Sequence, residues 1–327
     1  MDQIEKIADY LGLRTEDISV LANGEYNRNY SFIDPLSKEK RVFRLNTGSQ
    51  MHLEDQIGYE AHALKCLEGS GRTPKVYHVD GSKRVFSGGI LVMEYLKGEP
   101  LDYTSQQDMA NAVHILADIH SVPVPSTCGL LKSEYPLKEI LSECEEMFNV
   151  YRTSAMADTT ITERISSMLK KGWGMAEDIS KEHIPLSIIN TELNSGNFLM
   201  NKEGRSYLID WEKPLIGDPA QDLGHFLAPT TTFWKTDVIL SDREMDAFIR
   251  AYYEAAEKRE SFETLYSRVH VYIPVTCLRG LTWSAMAWIE YQNKDKAVYN
   301  ADTWEKLNVY LSDAFLTKIE ERYFDIR

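Results

Sequence analysis

NTELNSGNFLMNKEGRSYLIDWEKPLIGDP, residues 190–219, carries two short apolar runs, FLMN and SYLIDW, on either side of Lys202-Glu203-Gly204. Apolar runs around a polar, glycine-containing break are a β-hairpin signal. Such a hairpin puts Asn197 at the mouth of one strand and Asp210 at the far end of the next, so that their side chains converge. An amide oxygen and a carboxylate brought together make a hard-oxygen site suited to Mg²⁺. Glu192 stands five positions before Asn197, where an acidic side chain could orient a hydroxyl. Together these residues have the layout of a phosphoryl-transfer loop.

The surrounding chain is long enough, at 327 residues, for one large or two ordinary domains. A hydrophobic content of 43% and a charged content of 26% fit an ordinary soluble globular protein. No run approaches a membrane span, and Met-Asp-Gln-Ile-Glu-Lys lacks the basic start and apolar core of a signal peptide. The four cysteines, Cys66, Cys128, Cys144 and Cys277, are scattered without a CxxC pair. That spacing gives neither a structural disulfide nor a zinc site and points to a reducing cytoplasm. The net charge of −14 argues against nucleic acid as a main partner. It is compatible with a cationic substrate, and equally with acidity kept for solubility.

Before that loop, residues 3–12 have helical periodicity and stop at Gly12, and ISVLANG, NRNYSFID and RVFRLN then read as strands. Asn23-Gly24 opens the connection between the first two, a small-residue loop that can bring N–H groups over phosphates or form a plain hairpin turn. Residues 53–68 make a helix with Ile57, Ala61, Leu64 and Leu67 on one stripe and Glu60 beside it, within reach of Arg44 on the preceding strand. PKVYHVD and GGILVMEYLKGEPL follow as strands. The expected division is a strand-rich lobe over 1–97 and a helical lobe over 98–327.

In the second lobe, helices are expected over 107–121, 137–151, 160–179, 242–257, 262–293 and 303–323, with Pro274 kinking or dividing the fifth. Residues 230–234 are expected to be a loop, His120 a satisfied helix end, and Glu143, Glu145 and Glu146 a solvated face. Asp218 precedes Pro219 at a helix start. Asp222 falls on an early turn beside Leu223, Phe226 and Leu227, where a carboxylate needs hydrogen bonds; it is expected to tie down the loop's backbone.

These residues carry a likeness. The chain resembles the aminoglycoside phosphotransferase / choline kinase family, the small-molecule branch of the protein-kinase-like fold. The family's His-x-Asp-Leu-x-x-x-Asn is here Asn190-Thr191-Glu192-Leu193-Asn194-Ser195-Gly196-Asn197. Its Ile-Asp-Trp-Glu is residues 209–212, and its Gly-Asp-Pro-x-x-Asp-Leu is residues 217–223. Gly24-x-x-Asn27-x-x-Tyr30 looks like the phosphate-covering loop, Val42-Phe43-Arg44-Leu45 like the strand carrying the phosphate-contacting base, and Leu91-Val92-Met93-Glu94-Tyr95 like the adenine hinge. The resemblance covers about the whole chain and implies an α+β, bilobal fold: a small antiparallel sheet with one long helix, and a larger helical lobe.

It further implies that Asn197 and Asp210 hold Mg²⁺, that Arg44, held by Glu60, positions the phosphates of ATP or GTP, and that Met93, Glu94 and Tyr95 cradle the base. Asp218 and Asp222 would support the loop. Three positions depart from the pattern: Glu192 for the catalytic Asp, Asn190 for the His, and Arg44 for a Lys. Glu keeps the carboxylate but extends it by about an ångström, and a misplacement of that size can cost on the order of a hundredfold in rate. Arg stays charged and can bind phosphate bidentately.

Two functions follow. One is a kinase that phosphorylates a hydroxyl of a small molecule, with Glu192 as the catalytic base. The other is a nucleotide-binding pseudokinase of the same fold, with little catalysis because of Glu192. Aromatics at Trp211, Trp234, Tyr266, Tyr272, Trp283, Trp288 and Tyr291 would suit a choline- or ethanolamine-like cation by cation–π attraction, or simply form helix core. Trp283 and Trp288 lie on different sides of a helix and cannot share one pocket wall. An aminoglycoside would call for many carboxylates, which Glu254, Glu257, Glu260 and Glu263 could supply.

Overall fold

Asp2 and Glu5 close a capping box at the start of α1 (Gln3–Leu11), and Gly12, at φ +67°, ends it in the left-handed conformation that glycine tolerates. The computed structural model describes residues 2–325 apart from 25, 50, 126–127, 178–183, 258 and 293–299. Five strands follow α1: β1 (Ser19–Asn23), β2 (Asn27–Ile33), β3 (Lys40–Asn46), β4 (Val76–Asp80) and β5 (Ile90–Glu94). They form one antiparallel sheet in the order β1-β2-β3-β5-β4. Helix α2 (Gln56–Leu67) connects β3 to β4.

Alternation along β3 and β5 serves two faces. Phe43, Leu45, Ile90 and Val92 join Ile7 and Ala8 of α1 in one core, while Val42, Leu91 and Met93 pack with Ile57, Ala61, Leu64 and Leu67 of α2 in the other. Arg44 therefore emerges on the α2 side, facing Glu60.

The larger part is helical: α3 (Gln106–His120), α4 (Pro136–Arg152), α5 (Thr159–Glu177), α6 (Pro219–Leu227), α7 (Pro229–Thr236), α8 (Asp242–Ala255), α9 (Phe262–Tyr291), α10 (Ala301–Tyr310) and α11 (Asp313–Tyr323). It includes five short strands: β6 (Glu99–Pro100), β7 (Ser187–Ile189), β8 (Phe198–Met200), β9 (Tyr207–Leu208) and β10 (Leu215–Gly217). The expected hairpin is present as β8 and β9, Phe198 opposite Leu208, with β6 on the outer edge of β8. Helix α9 runs through the middle, buried along its length from Leu265 to Ala287.

Two local expectations are corrected, and one of two alternatives is decided. Residues 230–234 lie in helix α7, begun by Pro229 in the first turn, where its missing N–H costs nothing. The stretch 303–323 is two helices, because Ser312 caps α11 by accepting from Phe315 N. Helix α9 continues through Pro274 and is not divided. The ends of the 160–179 and 262–293 expectations lie outside the described residues. No helix among the described residues is long and apolar enough to cross a membrane.

Candidate active site

Ser187 pairs opposite Gly217 and Ile189 opposite Leu215, so β7 and β10 make a two-stranded base from which residues 190–214 leave and to which they return. That base is locked from below. Asp222, fully buried on α6, accepts hydrogen bonds from Asn190 N and Thr191 N at 2.8 Å each and lies 3.2 Å from His120 Nε2. Thr191 sits at φ +71°, a conformation that costs a non-glycine residue on the order of 1–3 kcal/mol and persists only where its surroundings enforce it. His120, satisfied as expected, is also hydrogen-bonded to Tyr252 Oη at 2.9 Å. Asp218 caps α6 through Ala220 N and meets Arg268 of α9 at 2.7 Å, and Arg268 also binds Glu260.

The two ends of the loop are stitched by Asn190. Its Nδ2 donates to Asp210 O at 2.9 Å and its Oδ1 accepts from Glu192 N at 3.1 Å. Asn197 donates from Nδ2 to Glu192 O at 2.9 Å, which orients the amide and leaves Oδ1 available as a hard oxygen ligand. Across the hairpin, Ile209 N donates to Asn197 O at 2.9 Å, so Asp210 follows directly beside Asn197. Asp210 is itself left-handed, at φ +65°.

Carboxylates crowd this corner. Burial, then repulsion from Asp210, pushes the Glu212 carboxyl up to about 7 against the opposing pull of Arg44. A carboxylate group that resists full ionisation, beside an available amide oxygen, fits a hard dication such as Mg²⁺.

Arg44, buried on β3, reaches Glu60 of α2 at 2.5 Å, Asn29 at 3.0 Å and Asp210 at 3.5 Å. Burial works against its charge, but Glu60 and Asp210 outweigh burial and hold the guanidinium protonated. Below it opens a cleft of about 140 Å³ lined by Ala22, Val42, Met93, Glu94, Tyr95 and Leu199 among others, mostly apolar and of a kind that takes a planar ring. Gly24 N bonds Asn27 O at 2.8 Å in the β1–β2 turn. Asn27 itself is buried and committed to Glu212 and Asn46.

Glu192 points the other way, into a second cavity of about 400 Å³ walled by Met147, Trp234, Trp283, Tyr310 and threonines 230, 231 and 276. Its Oε1 receives Lys213 Nζ at 2.8 Å and lies 3.4 Å from Arg279 Nη2. Burial pushes its carboxyl up, but Lys213 and Arg279 together pull it below the ordinary carboxylate value, so it is ionised at neutral pH. Arg279 also holds Glu143 at 2.9 Å. Glu143 therefore lines this cavity and is not merely part of a solvated helix face.

A sequence profile of the phosphotransferase enzyme family matches residues 17–263. The chain belongs to that family. No curated protein matches it at a significant level. Among solved structures, spectinomycin phosphotransferase APH(9)-Ia, in complex with ADP and spectinomycin, superposes with a TM-score of 0.64 at 12% identity over 94% of this chain and 93% of that one. An ethanolamine kinase of Plasmodium vivax gives 0.63 at 14% identity, over 93% and 85%. A choline/ethanolamine kinase family protein of Mesorhizobium loti gives 0.61 at 16% identity, over 97% and 99%. At these identities the likeness shows a shared fold.

Within this phosphotransferase-family fold, several polar residues of the site were not singled out from the sequence. Lys213, three positions after Asp210, could have been noticed for its place in the motif. Arg279 and Arg268 are the only Lys or Arg between positions 265 and 289, and a lone cation in a buried helix calls for a partner. The aromatics divide as helical geometry requires. Trp234 and Trp283 meet edge to face at the cavity, whereas Trp288 packs on Tyr151 and Trp304, and Trp211 is fully buried.

Proposed function

We propose that the protein is an active kinase, transferring the terminal phosphoryl group of ATP or GTP to a hydroxyl of a small molecule held in the 400 Å³ cavity. The observation that carries this reading is the position of Glu192. Its main chain is tied to Asn197, and its ionised carboxylate faces the acceptor cavity. Arg44, held by Glu60, would position the phosphates, and Met93 to Tyr95 would hold the base, with the lobes hinged near residues 97–98. Asn197 and Asp210 would hold Mg²⁺, which supplies charge neutralisation on the phosphates. Glu192 would accept the hydroxyl's proton or its hydrogen bond. Lys213, next to it, would offset negative charge gathering between acceptor and nucleotide. Positioning and charge are most of what this chemistry needs.

The cavity favours a small acceptor of low charge. Trp234, Trp283 and Tyr310 can cover an ammonium or a sugar face, and the threonines can bond hydroxyls. Arg279 neutralises the carboxylates that a polycation would need. An amino alcohol or a neutral polyol therefore fits better than an aminoglycoside. The test is ATP and GTP consumption against amino alcohols, polyols, nucleosides and aminoglycosides, repeated with Glu192→Ala. Turnover of a hydroxylated substrate that falls about 10²-fold or more in the variant supports the reading. Unchanged turnover removes Glu192 from the chemistry.

One observation favours a second reading. One Glu192 oxygen, Oε1, is already engaged by Lys213 and Arg279, an arrangement that would suit a protein that binds nucleotide without transferring phosphate. Mg²⁺-dependent nucleotide binding with no turnover across the panel would select that pseudokinase.

A further inference from the structure

Two of the four cysteines, far apart in the chain, meet on the back of α2. Cys66 Sγ lies 3.9 Å from Cys128 Sγ, and His62 Nε2 lies 3.7 Å from Cys66 Sγ. All three ligand atoms fall within 4.8 Å of one another, with the cysteines half-buried and His62 exposed. His62 and Cys66 are one helical turn apart, which puts both on one face of α2. Cys128 comes from the segment after α3.

The Cys66–Cys128 and His62–Cys66 separations are close to the edges of a metal polyhedron. With Zn–S near 2.3 Å and Zn–N near 2.0 Å, a tetrahedral ion sets sulfur atoms about 3.8 Å apart and a sulfur and a nitrogen about 3.5 Å apart. A disulfide would instead need the sulfurs to close to about 2.0 Å. Burial and the adjacent Cys128 push the Cys66 thiol up to about 11, so Cys66 is not primed as a nucleophile.

We propose that His62, Cys66 and Cys128 form a binding site for a soft to borderline divalent cation, zinc being the type, distinct from the Asn197/Asp210 corner. The two thiols release their protons to solvent as the metal binds, and the fourth position, on the exposed His62 side, is taken by water. The site closes a tether that is already half made. Tyr59, one turn before, accepts from Leu131 N at 3.1 Å and donates to Pro214 O at 2.6 Å. Lys132 bridges to Ile216 of β10. A bound ion would thus clamp the helix that carries Glu60 to the segment lying against the catalytic loop.

The experiment uses the full chain, reduced with a phosphine, stripped with chelator and titrated with Zn²⁺ against a chromogenic competitor. One tight equivalent is expected, and Co²⁺ in its place should give thiolate-to-metal charge-transfer absorption, which an oxygen site such as Asn197/Asp210 cannot produce. Cys66→Ser and Cys128→Ser should each abolish that band. His62→Asn, an exposed change that leaves folding intact, should weaken binding at least about tenfold. Absence of a tight equivalent in the native chain would overturn the proposal, as would a charge-transfer band that survives in the double cysteine variant. So would a Cys66–Cys128 disulfide in protein purified without reductant whose reduced form takes up no zinc.

Discussion

Glu192 is one methylene longer than aspartate, and its surroundings use that length to reach two cations. Held below the ordinary carboxylate value by Lys213 and Arg279 against the pull of burial, it should stay ionised into mildly acidic solution. Lys213→Met should therefore move the acidic limb of the kcat/KM profile to higher pH, because removing the cation lets the carboxyl pKa rise. A limb that stays in place would mean that another group governs it. Glu192→Asp tests the length directly. If the extra reach serves catalysis, the shorter acid loses on the order of tenfold or more in kcat, with nucleotide KM little changed.

His225, lining the same cavity, is pushed down to about 4 by burial and then by Arg279. Its unfolded value is about 6.5, so between these values the unfolded chain takes up the proton and the folded one does not. The stabilisation is complete above the higher value and is lost as pH falls toward the lower. The thermal midpoint should drop across that window, and the drop should shrink in His225→Gln.

At the scale of elements, the site depends on close contacts between helices that carry no catalytic group. A Cβ on Gly224 of α6 would come within 2.4 Å of the Tyr272 side chain and 2.9 Å of its backbone carbonyl carbon on α9. Backbone cannot rotate away as a side-chain tip can, so Gly224→Ala should push α6, with Asp222, off α9. A loss of about 1–3 kcal/mol in urea unfolding is expected, with a fall in kcat larger than the fraction unfolded explains. Glu60→Ala leaves a buried guanidinium without its nearest anion, at a cost of about 3–5 kcal/mol. Retained stability in that variant would show that Asp210 alone suffices for Arg44.

Helix α7 shows why local preference was a poor guide at this scale. Three successive threonines favour strand or loop, but Thr232 Oγ1 bonds Val238 O, and Thr230 O receives Tyr310 Oη. Tertiary partners outweighed β-branched propensity.

Across the whole molecule, α2 joins the sheet to the loop. It holds Arg44 through Glu60, and Gln56 and Tyr59 donate to the carbonyls of Glu212 and Pro214 at 2.7 and 2.6 Å. A nucleotide bound in the cleft would lie against both parts, so its binding energy should appear as global stability. ATP or GTP with Mg²⁺ at a hundred times Kd should raise the thermal midpoint by roughly 5 °C. Chelating Mg²⁺, or changing Asp210→Asn, should remove most of that gain. An equal shift in Asp210→Asn would take that residue out of the proposed metal pair.

The sequence by itself determined the fold and the polar skeleton of the loop. Asn197, Asp210, Asp218 and Asp222 stand at fixed spacings on local elements, and a hairpin or a capped helix brings near neighbours together whatever surrounds them. The alternation in β3 likewise sends Arg44 to the side that α2 covers. Only the tertiary structure decided the environment of Glu192 and the lining of the cavity it faces, since Glu143, His225, Arg279 and Trp283 arrive from segments outside residues 190–219. It also brought Cys66 to Cys128, which no local spacing could reveal. The pairing depends on how a helix and a loop pack, and that packing is set by apolar burial, a non-directional force that leaves no motif in the chain.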